Sequence, residues 1–165
     1  MLCGDSNQVV YPNFFSWSHL KSMFYQNDVK DHEIKLLHVN YRNSLNISNP
    51  ANILLRIKNA RFGSIDKESN YLVKTISETK GEVVFLENKG NNVDDLARKT
   101  RLSVKYAVLV LRNEDKAKAR TIFQTPLLFS VQESKGLEYE NIIIYNFISA
   151  YPVEYNTICE GVAQN

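Results

Sequence analysis

QESKGLEYE, residues 132–140, lies between two apolar runs at 127–131 and 142–147. An apolar strand that ends in a Ser-Lys-Gly turn, followed by an acidic residue and a second apolar strand, puts charged groups at the rim of a buried sheet. Open α/β sheets bind their ligands at that rim, outside the carboxyl ends of the strands. Gly136 lets a backbone approach closely, while Lys135 and Glu138 offer a cation and a hydrogen-bond acceptor on either side. The same residues also make an ordinary surface turn, so the rest of the chain has to decide.

The 165 residues suit one domain, or one domain and part of another. A hydrophobic fraction of 44% allows a real core, and 18 acidic against 20 basic residues leave a formal charge of only +2. There is no global basic field, so contact with nucleic acid would use a local stripe, because affinity follows the number of phosphates neutralised. Cys3 and Cys159 form no CxxC pair, which suggests two reduced thiols and a reducing, cytoplasmic setting. His19, His32 and His38 lack metal-ligand spacing. No apolar run approaches the roughly 20 residues of a membrane span, and no signal peptide is evident. Asn46-Ile47-Ser48 matches a glycosylation acceptor by accident in such a setting.

Residues 1–11, MLCGDSNQVVY, suggest the end of a strand, a Gly-Asp turn and a resumption. Pro12 breaks the run, and Ser16 or Ser18 caps a short helix carrying Leu20, Met23 and Phe24. The aromatics Phe14, Phe15 and Trp17 fit either a core or a stacking platform for bases. KLLHV, 35–39, predicts a strand that hands over at Tyr41 and Arg42 to a helix starting near 44–49. Ile47, Ala51, Leu54 and Leu55 form its apolar stripe, and Pro50 belongs in its first turn. A looser helix is expected around Tyr71, Leu72, Thr75 and Ile76, then a strand at 82–86 and a helix at 93–102. YAVLVL, 106–111, is a continuous apolar run expected to be buried on both faces. A basic helix at 116–123 with a solvated charged face follows, then buried strands at 127–131 and 142–148 and a tail without strong period. This alternating order predicts an α/β fold with a mainly parallel sheet and helices on both faces.

Three motifs stand in one order: GDSNQVVY at 4–11, VNYRNS at 39–44 and SVQESKGLEYENIIIY at 130–145. Together they resemble the UvrD/Rep/PcrA class of superfamily 1 ATP-dependent DNA helicases, whose signatures include GDxxQxIY, NYRS and TxHxxKGLEF turns. The resemblance implies a RecA-like domain of the P-loop NTPase kind. Residues 1–30 would be the end of a first RecA-like domain and its connection, and 31–165 most of a second. The GxxxxGKS/T loop, the acidic DExx segment and a late arginine motif are missing, so the chain is expected to be a fragment that does not hydrolyse ATP alone. The missing first RecA-like domain would be its partner, together with single-stranded DNA or RNA, and the Mg2+ ligands would lie outside this sequence.

By the same resemblance Gln8 senses the γ-phosphate, Tyr41 stacks on adenine, and Arg42 reaches the γ-phosphate as a transition-state cation. Gly136 and Glu138 form the turn that approaches ATP, with Glu138 accepting from the ribose. Tyr11, Phe14, Trp17, Gln132 and Lys135 fall on the side of the nucleic acid. There are departures: Gln132 stands where the family usually has His, and PNFFSW replaces the expected xFRGA, with Asn13 at the stacking aromatic and Phe14 at the arginine. The large helical insert of the family is absent or reduced to 59–80. Two other readings are a helicase-derived interaction module and an unrelated flavodoxin-like or receiver domain. The latter expects an acidic cluster where this chain has Arg42 and Lys135.

Overall fold

A computed structural model of the chain describes residues 4–8, 17–25, 35–63 and 71–160. The chain forms two compact units that divide between Val84 and Phe85. The first contains a 3-10 turn at Ser6–Gln8, helix α1 at Trp17–Tyr25, strand β1 at Val39–Asn40, helix α2 at Leu45–Phe62 and strand β2 at Lys74–Thr75. The second contains α3 at Asn91–Thr100, β3 at Tyr106–Val110, α4 at Asp115–Arg120, β4 at Leu128–Ser130, β5 at Asn141–Ile144 and α5 at Pro152–Cys159. Every strand pairing among the described residues is parallel, as the alternating order predicts.

The second unit is built around β3, which lies between β4 and β5. Val108 pairs with Leu128 on one side and Ile143 on the other, so these three side chains share a sheet face. That face carries the core: Val108, Val110, Leu128, Ala119 and Phe123 are buried, with Leu96 and Ala97 of α3 packed against them. α3 forms because Val93, Leu96, Ala97 and Thr100 recur at i, i+3, i+4 and i+7. Asp94 in its first turn and Arg98 and Lys99 in its last suit the helix dipole. α3 and α4 thus contribute to the same core and cover the same face. The opposite face buries Ala107 of β3 but leaves Ile142 and Ile144 of the edge strand β5 51% and 63% exposed. The expectation of helices on both faces of one sheet therefore fails among the described residues: the strands form two sheets, and the larger one is covered by α3 and α4 on one side.

The first unit is held by polar contacts. Ser48, Asn52, Leu55 and Asn59 form the inward stripe of α2. The Asn52 side chain donates to the Val73 carbonyl (2.9 Å) and accepts from the Val73 N–H (3.1 Å), and the Thr75 hydroxyl donates to Ser48 Oγ (2.6 Å). Asn46 Nδ2 donates to the Gly81 carbonyl (3.1 Å). Of the expected apolar stripe, Leu55 does lie on the inward face, while Ala51 and Leu54 face outward, Leu54 being 66% exposed, and Ile47 sits at the margin, 37% exposed. The helix is rotated by one residue, about 100°, because the backbone groups of β2 and its flanks need partners that only the polar stripe can supply.

Several local expectations change. Residues 71–76 hold β2 in place of a helix, and 82–86 form no strand, with Phe85 90% exposed. Pro50 is the sixth residue of α2, past its first turn. The strand at 142–148 is shorter and less buried than its apolar run suggests, KLLHV contributes only Val39 to β1, and the tail contains α5. In the first motif residues Ser6–Gln8 form a 3-10 turn, while the expected strand end before Gly4 and its resumption at 9–11 lie outside the described residues.

Candidate functional site

Two of the three motifs form turns at the carboxyl ends of parallel strands, one in each unit. In the first unit β1 ends at Asn40, whose Oδ1 accepts from the N–H groups of Arg42 (2.8 Å) and Asn43 (3.0 Å). This Asx turn stops the strand, redirects the chain into α2, and leaves Tyr41 72% exposed at the turn. Arg42 is exposed beside it. Ser44 then caps α2 by position but not by hydrogen bond: its Oγ is buried without a partner among the described residues.

In the second unit β4 ends at Ser130 and the chain turns back under it. The N–H groups of Glu133 (3.1 Å) and Ser134 (3.0 Å) donate to the Ser130 carbonyl. The Glu133 carboxylate accepts from the Ser130 N–H (2.9 Å) and hydroxyl (3.1 Å). Ser130-x-x-Glu133 therefore makes the carboxylate half of a capping box, with the serine hydroxyl donating to the carboxylate in place of accepting from the Glu133 N–H. Lys116, from the first turn of α4, donates to both Glu133 oxygens at 2.8 and 2.7 Å. The Lys116 ammonium, with the Ser130 N–H, holds the Glu133 carboxyl at about 2 against an ordinary 4.5. The turn then reaches Gly136 at φ 83°, in the left-handed region, with nothing within 4 Å of where a Cβ would sit.

The sequence-predicted residues divide accordingly. Gln132, Lys135, Gly136 and Glu138 are exposed together on this turn. Tyr41 and Arg42 share the β1 turn. Gln8 lies in the 3-10 turn, where its amide donates to Asp5 Oδ2 (3.0 Å). Trp17 opens α1, half-buried, and its ring lies 3.5 Å from where a Cβ on Gly4 would stand. Tyr11 and Phe14 lie outside the described residues. Among the described residues no group of three His, Cys, Asp or Glu side chains could hold a metal ion, and no helix is long and apolar enough to cross a membrane.

Sequence reasoning missed the pair Lys116 and Glu133. Lys116 was expected on a solvated face, yet only 16% of its side chain is exposed. The Ser-x-x-Glu spacing at 130–133 was a usable signal for the cap; the lysine, 17 residues away, had none. A further rim cluster was also missed. Asp115, next to Lys116, accepts from the Arg112 N–H (3.0 Å) and the Tyr151 hydroxyl (2.8 Å). The Arg112 guanidinium lies 4.4 Å above the Tyr151 ring. Burial and the bond to Asp115 push the Tyr151 hydroxyl above its usual range.

The β4 turn can admit a ligand close to its backbone at Gly136, between an ammonium and a carboxylate. The β1 turn can offer an aromatic face and a guanidinium. These features define a mixed α/β protein with two ligand-competent turns at the ends of parallel strands. No family model, curated protein or solved structure matches the chain.

Proposed function

We propose that the chain is the second, RecA-like motor domain of a UvrD/Rep-like superfamily 1 helicase or translocase, which couples ATP hydrolysis to movement on single-stranded DNA or RNA. The observation that carries the reading is the placement of the NYRN and QESKGLE segments, each at the carboxyl end of a parallel strand. A scaffold has no need for an exposed Tyr-Arg pair at one such turn and an exposed Lys-Gly-x-Glu at the other.

In this reading Tyr41 stacks on adenine and Arg42 stabilises charge on the transferring phosphoryl group, where a planar guanidinium is worth far more than a solvated charge. Gly136 allows the turn to approach the nucleotide and Glu138 accepts from the ribose. Gln8 exchanges its local bond to Asp5 for the γ-phosphate, as a neutral donor and acceptor can. Gln132 and Lys135 face the nucleic-acid backbone, with Tyr11, Phe14 and Trp17 as stacking side chains. Mg2+ would accompany ATP, and in this reading its ligands come from the missing first motor domain.

The test is ATP turnover by the full-length polypeptide with and without single-stranded DNA, beside Arg42→Ala. Strand-stimulated turnover that falls by about 10³-fold or more in the variant supports the motor. Turnover that ignores single strands, or an Arg42→Ala protein equal to wild type, overturns it. The uncovered Ile142 and Ile144 favour a second reading, a helicase-derived module that binds a protein partner.

A further inference from the structure

The Lys116–Glu133 contact joins a helix to the turn that carries Gly136 and Glu138. We infer that Lys116 and Glu133 are positioning residues, a clamp that sets the conformation of the 132–138 turn; for nucleotide binding this inference rests on the function proposed above. The argument starts with the turn itself. Gly136 at φ 83° has no neighbour within reach of a Cβ, so side-chain packing does not fix the loop there. Gln132 and Lys135 are exposed and form no side-chain hydrogen bond or ion pair among the described residues. Backbone bonds to the Ser130 and Ser134 carbonyls and the Ser134 hydroxyl's bond to the Val131 carbonyl shape the turn locally, and Glu133 ties it to the rest of the unit, taking two hydrogen bonds from Ser130 and two from Lys116.

The two partners of Glu133 are themselves anchored. Ser130 is 2% exposed at the end of β4. Lys116 precedes by three residues Ala119, which is fully buried in the core, so its stem rises from a helix that cannot shift easily. A carboxylate held by four hydrogen bonds between two rigid elements stays in one rotamer, and the following residues inherit that geometry. A loose turn would present Gly136 and Glu138 in many positions, and misplacement by about 1 Å is enough to cost up to about 10²-fold in a site built on geometry. Asp115, the first residue of α4, accepts from the Arg112 N–H and the Tyr151 hydroxyl. The first turn of α4 is thus the common anchor of the rim.

Hydrogen exchange of the 132–138 amides in this chain tests the clamp directly, with Lys116→Met, Glu133→Gln and the charge-retaining Lys116→Arg. Exchange is expected to quicken about five-fold or more in the first two variants, with β3 amides unchanged, and to return towards wild type in Lys116→Arg. Unchanged exchange in Lys116→Met overturns the inference, as does loss of β3 protection, which would mark a general structural role. The second readout is turnover by the full-length polypeptide. Lys116→Met is expected to raise KM for ATP by between about 10- and 100-fold with kcat within about two-fold, and Lys116→Arg to restore it. An equal KM in Lys116→Met, where wild type turns over, removes the positioning role towards nucleotide. If wild type shows no strand-stimulated turnover, the proposed function fails by itself, while the exchange result still decides the clamp.

Discussion

Ser44 caps α2 by position without donating or accepting a capping bond, and its buried hydroxyl has no partner among the described residues. An N-cap serine normally contributes about 1 kcal/mol; here that contribution is missing and an unsatisfied group is buried in its place. Ser44→Ala is therefore expected to be neutral or stabilising by up to about 1 kcal/mol in urea denaturation. A loss of stability would show that the hydroxyl does cap in solution. Gly81 explains the arrangement: a Cβ there would meet Ser44 Oγ at 2.8 Å and Ile47 Cδ1 at 2.9 Å. Gly81→Ala should cost no more than about 1 kcal/mol, because both atoms end side chains that can turn aside, and combining it with Ser44→Ala should recover part of that. Glu133 gives a prediction in pH. Its carboxyl is held at about 2 against an ordinary 4.5, so the stability it contributes is complete above about 4.5 and is lost as pH falls towards 2. The difference in urea midpoint between wild type and Glu133→Gln should be constant near neutrality, shrink across that window, and close at its acid end. A difference that persists at pH 2 would place the effect in packing.

At the scale of elements, what was legible depended on whether the decisive contacts were local. β3 could be read because five consecutive apolar residues suit only a strand buried on both faces. α3 could be read from its i, i+3, i+4, i+7 pattern. The same reasoning failed on 82–86, where Val83, Val84 and Phe85 have strand propensity but find no pairing strand and stay exposed. It fails on α2 in a more instructive way: the apolar period announces the helix but points to the wrong buried face. Asn52 shows why. Its bidentate contact with Val73 spans 21 residues, and no local pattern announces it. Asn52→Ala leaves the Val73 N–H and carbonyl unpaired in a half-buried place and should cost about 1–3 kcal/mol, whereas Leu54→Ala, on the exposed face, should cost less than about 1 kcal/mol. The reverse order in denaturation midpoints would restore the apolar stripe. At the candidate site, Tyr41, Arg42, Lys135, Gly136 and Glu138 could be placed at strand ends because turn residues interrupt apolar runs. The Lys116–Glu133 clamp could not, because its two halves meet only after β3, α4 and β4 have assembled.

At the scale of the whole molecule, parallel strands ordinarily need cover on both faces, and the sheet of the second unit has α3 and α4 on one. Ile143 points to that covered face and joins the core, while its neighbours Ile142 and Ile144 point the other way. The alternation separates two roles that apolar residues play in one strand. Ile143→Ala should cost about 2 kcal/mol, in the range for truncating a side chain within a packed core. The double change Ile142→Thr, Ile144→Thr should cost less than about 1 kcal/mol, since threonine keeps the β-branch and little buried area is lost. Urea denaturation of the three proteins decides this. If the double change proves as costly as Ile143→Ala, the second face is covered in solution, and the α/β layering expected from the order of elements is complete after all. If it is nearly free, the face is open to whatever binds there, and a sheet with one covered face becomes a reason to look for the partner that covers the other.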